Sequence, residues 1–317
     1  MGLMTSIDFD FDSYSELSLQ RLMVLDKPRT DAFAEAIAEV VSEGDRVIDV
    51  GTGSGLLAML AAKAGAAHVY GLDRAAIAQV ARQLVIANNL DEQVEILHEN
   101  ASRFKSNEKA DLIVSEWLGH FAFTEGMLQH VIACRDNNLK PGGRMLPSEV
   151  QLLLAPLDAP ELYNNEGPGS WKMHVQGLDF SSLEEVEVRQ AIGQKKLIDP
   201  QGVLAPGQAI VSLDLVTADV QNMWQSGELT FVAQRDGQLH GFAGWFTAQL
   251  SPSVCLDTGP HAPPTHWAQT YFPLAPVTIK KGERIFVTYA LYQHPISPGC
   301  LELELTVHGE RLIYTIT

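Results

Sequence analysis

Glu116 and Glu125 stand on either arm of a loop within Ser115 to Leu128, which follows an apolar β-like run from Ala110 to Ser115. A loop at the carboxyl end of a strand in an α/β sheet is where ligands bind. Two carboxylates converging there suit a planar cation. A guanidinium presents five donors in a rigid fork and so matches paired carboxylates bidentately, whereas an ammonium needs no such geometry. The pair reads as a trap for an arginine side chain. Two acids on one edge of a guanidinium draw positive charge toward the nitrogens they bind and leave electron density on the remaining terminal nitrogen. That nitrogen is then the nucleophile, and its positioning supplies a large part of the rate.

A cofactor site must lie beside such a trap, and the upstream sequence supplies one. Arg46 to Val50 reads as a buried strand, Gly51 to Gly55 as a tight turn, and Leu56 to Ala64 as a small-residue helix. Glycines let a backbone approach a ligand closely at a helix N-terminus. A second strand, His68 to Leu72, ends in Asp73, placed to accept hydrogen bonds from ribose hydroxyls. The strict dinucleotide fingerprint needs a small third residue, and Leu56 stands there, which disfavours NAD. The strand, G-x-G-x-G and acid pattern is that of S-adenosylmethionine (SAM) binding in class I methyltransferases.

Several segments in a fixed order now resemble one family, the protein arginine methyltransferases. VIDVGTGSG, from Val47, is similar to the family's glycine motif, and VYGLD, ending in Asp73, to its ribose motif. SEWLGHFAFTEGML resembles its double-E loop, and Pro264 to Trp267 its THW loop. Phe11 to Tyr14, and Met23, Asp26 and Arg29 at three-residue spacing, resemble its N-terminal helices. The likeness runs from about Phe11 to the C-terminus. It implies an α/β chain in which a Rossmann-like class I methyltransferase domain is followed by an antiparallel β-barrel domain with a dimerisation arm.

The resemblance also assigns roles. Glu116 and Glu125 hold the guanidinium. His266 takes the departing proton, with Asp26 as the carboxylate that positions its ring; an ion pair that only ties the barrel to the cofactor domain is the alternative. Tyr14, Met23, Arg29, Asp49, Gly51, Gly53, Asp73, Ala101 and Ser102 make the cofactor set. Arg29 is matched to the methionine carboxylate by geometry, Asp49 to the methionine ammonium, and Tyr14 and Met23 to the cover over the cofactor. Trp267 walls the arginine channel and His120 belongs to the substrate side. Three positions depart from the pattern. Asp10 stands where an aromatic is usual, His120 where a tyrosine is usual, and Gly126 where a serine is usual. All three surround the substrate channel. They leave free arginine or another small guanidine as a competing substrate, and a catalytically inactive SAM-binding regulatory protein as a third reading. Met23 points to asymmetric rather than symmetric dimethylation.

Composition bounds the rest. The chain has 317 residues and a formal net charge of −17. A strongly acidic protein repels phosphate backbones, which argues against nucleic-acid partners, and its field attracts cationic peptides. Cys134, Cys255 and Cys300 are scattered without metal-ligand spacing, so no metal is expected and a reducing cytoplasm suits them. No apolar run reaches a membrane span, so no membrane partner is expected. Met1 to Ser6 satisfies the loose myristoylation pattern, without a polybasic second signal.

The chain divides into three regions. Residues 1–29 form N-terminal helices closing over the cofactor, 30–148 the SAM-binding domain, and 149–317 the β-barrel substrate domain. In the last, strands are expected at Gln151–Ala155, Ala209–Leu215, Gly227–Val232, His240–Leu250, Arg284–Leu291 and Leu301–Val307. The polar segment at about 160–182, with Trp171, is the implied arm of a head-to-tail homodimer.

Overall fold

The computed structural model describes residues 16–124, 126–190, 192–297 and 299–317. Tyr14 and Glu125 lie outside the described residues, as does Asp10.

Runs of valine, isoleucine and leucine build a parallel sheet. Its strands are β1 (Arg46–Val50), β2 (His68–Asp73), β3 (Val94–His98), β4 (Ala110–Val114) and β5 (Leu139–Leu146), in the order β3-β2-β1-β4-β5, with every neighbour parallel. The central strands β1 and β4 are buried almost throughout, as helices on both faces of a parallel sheet require. The accompanying helices are α1 (Leu17–Val24), α2 (Lys27–Val40), α3 (Leu56–Lys63), α4 (Ile77–Ala87) and α5 (Leu128–Asn138). Asp26 caps α2, and Pro28 sits in its first turn, where a missing N–H costs nothing. This helix spans residue 29 without a break, so the N-terminal segment is continuous with the cofactor domain. Strand order reverses between β1 and β4. The turn after β1 and the loop after β4 both open into the crevice at that switch point.

After β5 the chain turns into antiparallel structure. β6 (Glu149–Leu157), β7 (Gln194–Lys196), β8 (Gln208–Asp214), β10 (Gly237–Gln249) and β12 (Gln269–Ile279) lie in the order β7-β12-β10-β6-β8, with β11 (Cys255–Asp257) on β10. A second sheet orders β15 (Glu310–Ile316), β14 (Leu301–Val307), β13 (Arg284–Gln293) and β9 (Ser226–Val232). Burial alternates along β14 and β15, so one face of each points inward. Phe272 of β12 meets Tyr314 of β15 with ring centroids 5.1 Å apart, and Phe231 of β9 meets Phe242 of β10 at 6.1 Å. The two sheets therefore close on a shared apolar interior. One cluster of buried side chains runs from Ile48 and Val114 in the parallel sheet to Phe272 and Leu303 in the antiparallel sheets.

The six strands expected from turn spacing are present, but β7, β11, β12 and β15 are additional. β12 carries Pro273 and Pro276, which argue against a strand when read alone. Its pairing with β10 slips between Leu239 and Gly241, and Pro276 falls opposite that irregularity. β7 pairs with β12 only over Gln269–Tyr271, so β7 makes no ladder bond beside either proline.

The segment expected as the arm is helical and longer than 160–182. It comprises α6 (Pro160–Glu166), a 3-10 helix at Pro168–Lys172 and α7 (Leu183–Arg189). Buried Tyr163 donates to Glu184 at 2.8 Å, and the Trp171 indole N–H donates to Glu187, so α7 closes the excursion. The tip is a turn bridging Val175 and Leu178, and both side chains are more exposed than Trp171.

A Cβ on Gly241 would lie 2.2 Å from the Phe272 carbonyl oxygen. Gly241→Ala should therefore part β10 from β12 and cost about 1–3 kcal/mol. Urea unfolding should show a lower midpoint at constant m-value; an unchanged midpoint would mean that this close approach carries no stability.

Candidate active site

The turn after β1 places the first group of side chains. Gly51, Gly53 and Gly55 have φ of +72°, +54° and +83°, a left-handed region that side chains disfavour. The N–H groups of Gly51 and Thr52 both donate to the Leu72 carbonyl, at 2.8 and 2.9 Å, which ties the turn to β2. At the end of β2, Asp73 accepts from Gly53 N–H at 2.9 Å through one oxygen and from Ala75 N–H at 2.8 Å through the other. Burial raises the Asp73 carboxyl above its ordinary range, while the bonds from Ala75 and Gly53 pull the other way. Each oxygen keeps a lone pair for a further donor.

The loop after β4 places the second group. Ser115 donates to the Val50 carbonyl at 2.6 Å and its own N–H reaches Leu146 at 2.9 Å, which fixes the loop across the switch point. Glu116 accepts from Leu118 N–H at 2.9 Å through Oε1. Its Oε2 accepts two bonds from Arg29, from Nε at 3.1 Å and Nη2 at 2.6 Å, and both side chains are 8% exposed. Arg29 also donates through Nη1 to the Met23 carbonyl at 3.1 Å.

The third group comes from the loop before β12. Asp26 Oδ2 accepts from the His266 backbone N–H at 2.8 Å and meets the ring Nδ1 at 2.6 Å. Burial lowers the His266 pKa, against the raising effects of the Asp26 hydrogen bond and the Glu116 and Asp26 charges, so the ring is neutral at neutral pH. Trp267, almost fully buried, donates its indole N–H to the Leu118 carbonyl at 2.5 Å. That bond joins the barrel to the loop carrying Glu116.

These groups wall one cavity of about 290 Å³. Met23, Arg29, Gly51, Gly53, Asp73, Ala101, Glu116, His120, His266 and Trp267 all line it. Asp26 stands behind His266, in an adjoining groove. Burial pushes the His120 pKa down to about 4, with the Lys195 charge adding to the effect, so His120 is also neutral.

Three of the expected cofactor residues stand as follows. Arg29 lines the cavity with its guanidinium bonded to Glu116. Asp49 is not on the cavity wall: its Oδ2 accepts from Thr52 Oγ1 at 2.6 Å and Ala58 N–H at 3.0 Å, holding the turn from behind. Its buried Oδ1 has no hydrogen-bond partner among the described residues, and burial pushes its pKa up to about 7. Ser102 is likewise off the wall, with its N–H and hydroxyl both on Asn100 Oδ1, at 3.0 and 2.8 Å. Glu99, Asn100 and Lys195 line the cavity without having been singled out from sequence. Glu99 and Asn100 directly follow β3, and the rule that ligands gather at carboxyl ends of parallel strands would have found them. Lys195 comes from β7, and nothing near it in sequence announces the site.

The residues present fit a nucleoside cofactor with a charged amino-acid tail. Asp73 offers lone pairs at a ribose position, and the glycine turn leaves its backbone uncovered. A Cβ on Gly51 or Gly53 would press on Met127 or Gln20, at 3.2 and 3.0 Å, in the cavity wall. Arg29 supplies a cation at the far end.

Comparison with known proteins agrees with this geometry. Residues 155–308 match the family described as the arginine methyltransferase oligomerization subdomain, and residues 26–149 match ribosomal protein L11 methyltransferase (PrmA). The chain is 33% identical to protein arginine N-methyltransferase 1 of Dictyostelium discoideum over 89% of its own length and 84% of the relative's. It is also 33% identical to protein arginine N-methyltransferase 6 of Xenopus tropicalis, over 93% and 89%. Among solved structures, the Trypanosoma brucei PRMT1 enzyme-prozyme heterotetrameric complex with AdoHcy superposes with a TM-score of 0.89 at 28% identity, covering 96% of this chain and all of that one. Arabidopsis thaliana protein arginine methyltransferase 10 gives 0.85 at 28% identity, covering 96% and 99%. Glycine turn, double-E loop and THW loop thus stand in one cavity of a chain that belongs to the protein arginine N-methyltransferase family.

Proposed function

We propose that the protein is a SAM-dependent methyltransferase acting on the guanidino nitrogen of arginine in proteins or peptides. The observation that carries this reading is the meeting of Glu116, Arg29 and the His266–Asp26 pair in one cavity beside the glycine turn. SAM supplies an electrophilic methyl group on a sulfonium centre. Asp73 and the turn at Gly51 and Gly53 would hold the nucleoside part, with Ala101 and Met23 on the surrounding wall, and the resemblance assigns Tyr14 to its cover. Arg29 would offset the charge of a carboxylate at the methionine end.

Glu116, with Glu125, binds the substrate guanidinium and draws its positive charge toward the bound nitrogens. Oε1 of Glu116, which carries a single bond from Leu118, has capacity for a substrate N–H. The free terminal nitrogen then carries the electron density. His266, neutral and held by Asp26 through Nδ1, accepts the proton lost from that nitrogen through its other ring nitrogen. Trp267 and His120 wall the channel and exclude water. Met23 supports an asymmetric dimethylated product. Incubation with labelled SAM and either a Gly-Arg-rich peptide or free arginine tests the reading, and label on free arginine alone would replace it with the small-guanidine one.

The assembly is proposed to be a homodimer in which the excursion from Pro160 to Arg189 docks on the N-terminal helices of a second copy. Val175 and Leu178 at its tip, Leu17 and Leu22 on α1 and Leu25 just after it are exposed apolar side chains that such contact would cover. We place the protein in the cytoplasm, where its three free cysteines remain reduced. Deleting the excursion should turn a dimer into a monomer by light scattering; an intact chain that is monomeric at micromolar concentration removes the claim.

Glu116→Gln and Glu125→Gln keep shape and remove charge. Each should lower turnover on the order of 100- to 1,000-fold, the usual cost of a dedicated electrostatic contact. Calorimetry should show SAM binding retained in both. Near-normal turnover in both variants would end the arginine-trap reading.

Asp26→Asn tests the proton path by pH. A base must be neutral to work, so the rate falls as pH drops through the His266 pKa. Asp26 raises that pKa, and its replacement lowers it. The acid limb of the kcat profile should therefore move to lower pH while the plateau falls. A plateau that falls with an unmoved limb would leave Asp26 a purely structural tie.

A further inference from the structure

Three charged side chains on the cavity wall, Arg74, Glu99 and Lys195, have no part in the chemistry above. Lys195 lies on β7, opposite Thr270 of β12. Successive strand residues face opposite sides. Lys196 accordingly turns out to Glu166, at 2.8 Å, while Lys195 faces the cavity that holds His120, Glu116 and Trp267. Among the described residues, no hydrogen bond or ion pair engages the Lys195 ammonium. It keeps much of its surface in solvent, and partial burial lowers its pKa.

A free cation is an awkward neighbour for a channel that must admit a guanidinium. Like charges repel, and a half-buried mouth screens them less than open water does. Glu116, the described glutamate of the trap, is engaged, since its Oε2 already takes two bonds from Arg29. His120 is neutral and supplies no counter-charge. Among the described residues, the wall thus presents an unspent positive charge at the channel. A substrate that brings its own anion beside the guanidinium would remove the penalty and gain an ion pair.

We propose that Lys195 is a specificity residue that pairs with a carboxylate carried by the substrate close to its reacting arginine side chain. This inference rests on the arginine-methylation reading. A carboxylate has two sources, an acidic residue flanking arginine in a peptide and the α-carboxylate of arginine itself. The peptide source agrees with the proposed substrate class. Local selection is compatible with the overall charge of −17, which governs long-range approach, whereas Lys195 acts at contact distance.

The test uses the full chain and two substrate pairs. One pair is a Gly-Arg-Gly peptide and the same peptide with glutamate beside the arginine. The other is free arginine and agmatine, which has the same guanidine without the carboxylate. The wild type should favour the acidic member of a pair by about fivefold in kcat/KM, the scale of a part-exposed ion pair, with the difference in KM. Lys195→Arg should retain the preference, Lys195→Met should abolish it, and Lys195→Glu should reverse it. A preference confined to the arginine and agmatine pair would identify the α-carboxylate as the source. An equal preference in wild type and Lys195→Met, or none in either wild-type pair, overturns the inference. Methyl transfer to the neutral peptide in that case leaves the enzyme reading standing. Absence of transfer to every substrate overturns both.

Discussion

Two buried carboxylates, Asp26 and Glu116, hold together three segments that are remote in sequence. Asp26 caps α2, receives both the backbone and the ring of His266, and so joins positions 240 residues apart. Arg29, on the first turn of the same helix, reaches Glu116 across 87 residues. The short spacing from Asp26 to Arg29 fixes the distance between the barrel loop and the loop after β4. Removing one member of such a buried pair leaves the other unpaired and costs about 3–5 kcal/mol. The cavity exists in its present shape because both pairs form at once.

The same arrangement sets the electrostatics. An acidic trap for a cation is costly to assemble without a cation in it. Arg29 offsets that cost by bonding Glu116 through a single oxygen and leaving the other free for a partner besides Leu118. His266 and His120 stay neutral through burial, so neither adds positive charge to the wall. Arg29 on that wall is bonded to Glu116, whereas the Lys195 ammonium has no hydrogen-bond or ion-pair partner among the described residues.

The parallel half of the molecule was legible because its signals are local. β1, the glycine turn, α3 and Asp73 follow one another within a short stretch, and the resemblance in the double-E and THW loops added the partners. The sequence is silent where placement depends on side-chain direction or on distant pairing. Asp49 has the right type and position, but its side chain turns behind the glycine loop to Thr52 and Ala58. Ser102 is spent on a turn with Asn100. β12 was hidden by two prolines that a bulge and an unpaired edge accommodate. Lys195 gains its place only when β7 aligns with β12, a pairing between strands more than seventy residues apart in the chain.

α1 is the least anchored part of the cavity. Its apolar face is turned largely outward, and Gln20 is its sole buried side chain. Its eight residues are too few for a stable helix in isolation. Asp26 and Arg29, by contrast, sit at the start of α2 and are held chiefly from elsewhere, by His266 and Glu116, with one bond from Arg29 to the Met23 carbonyl of α1. The roof over the cavity can therefore melt while the floor and the proton path stay assembled. Such local opening lies at the low end of a protein's free-energy range and proceeds without global unfolding. Ligand exchange is thereby decoupled from the integrity of the reacting groups. The enzyme's residence time for a spent cofactor becomes a property of a single short helix and of whatever covers Leu17, Leu22 and Leu25.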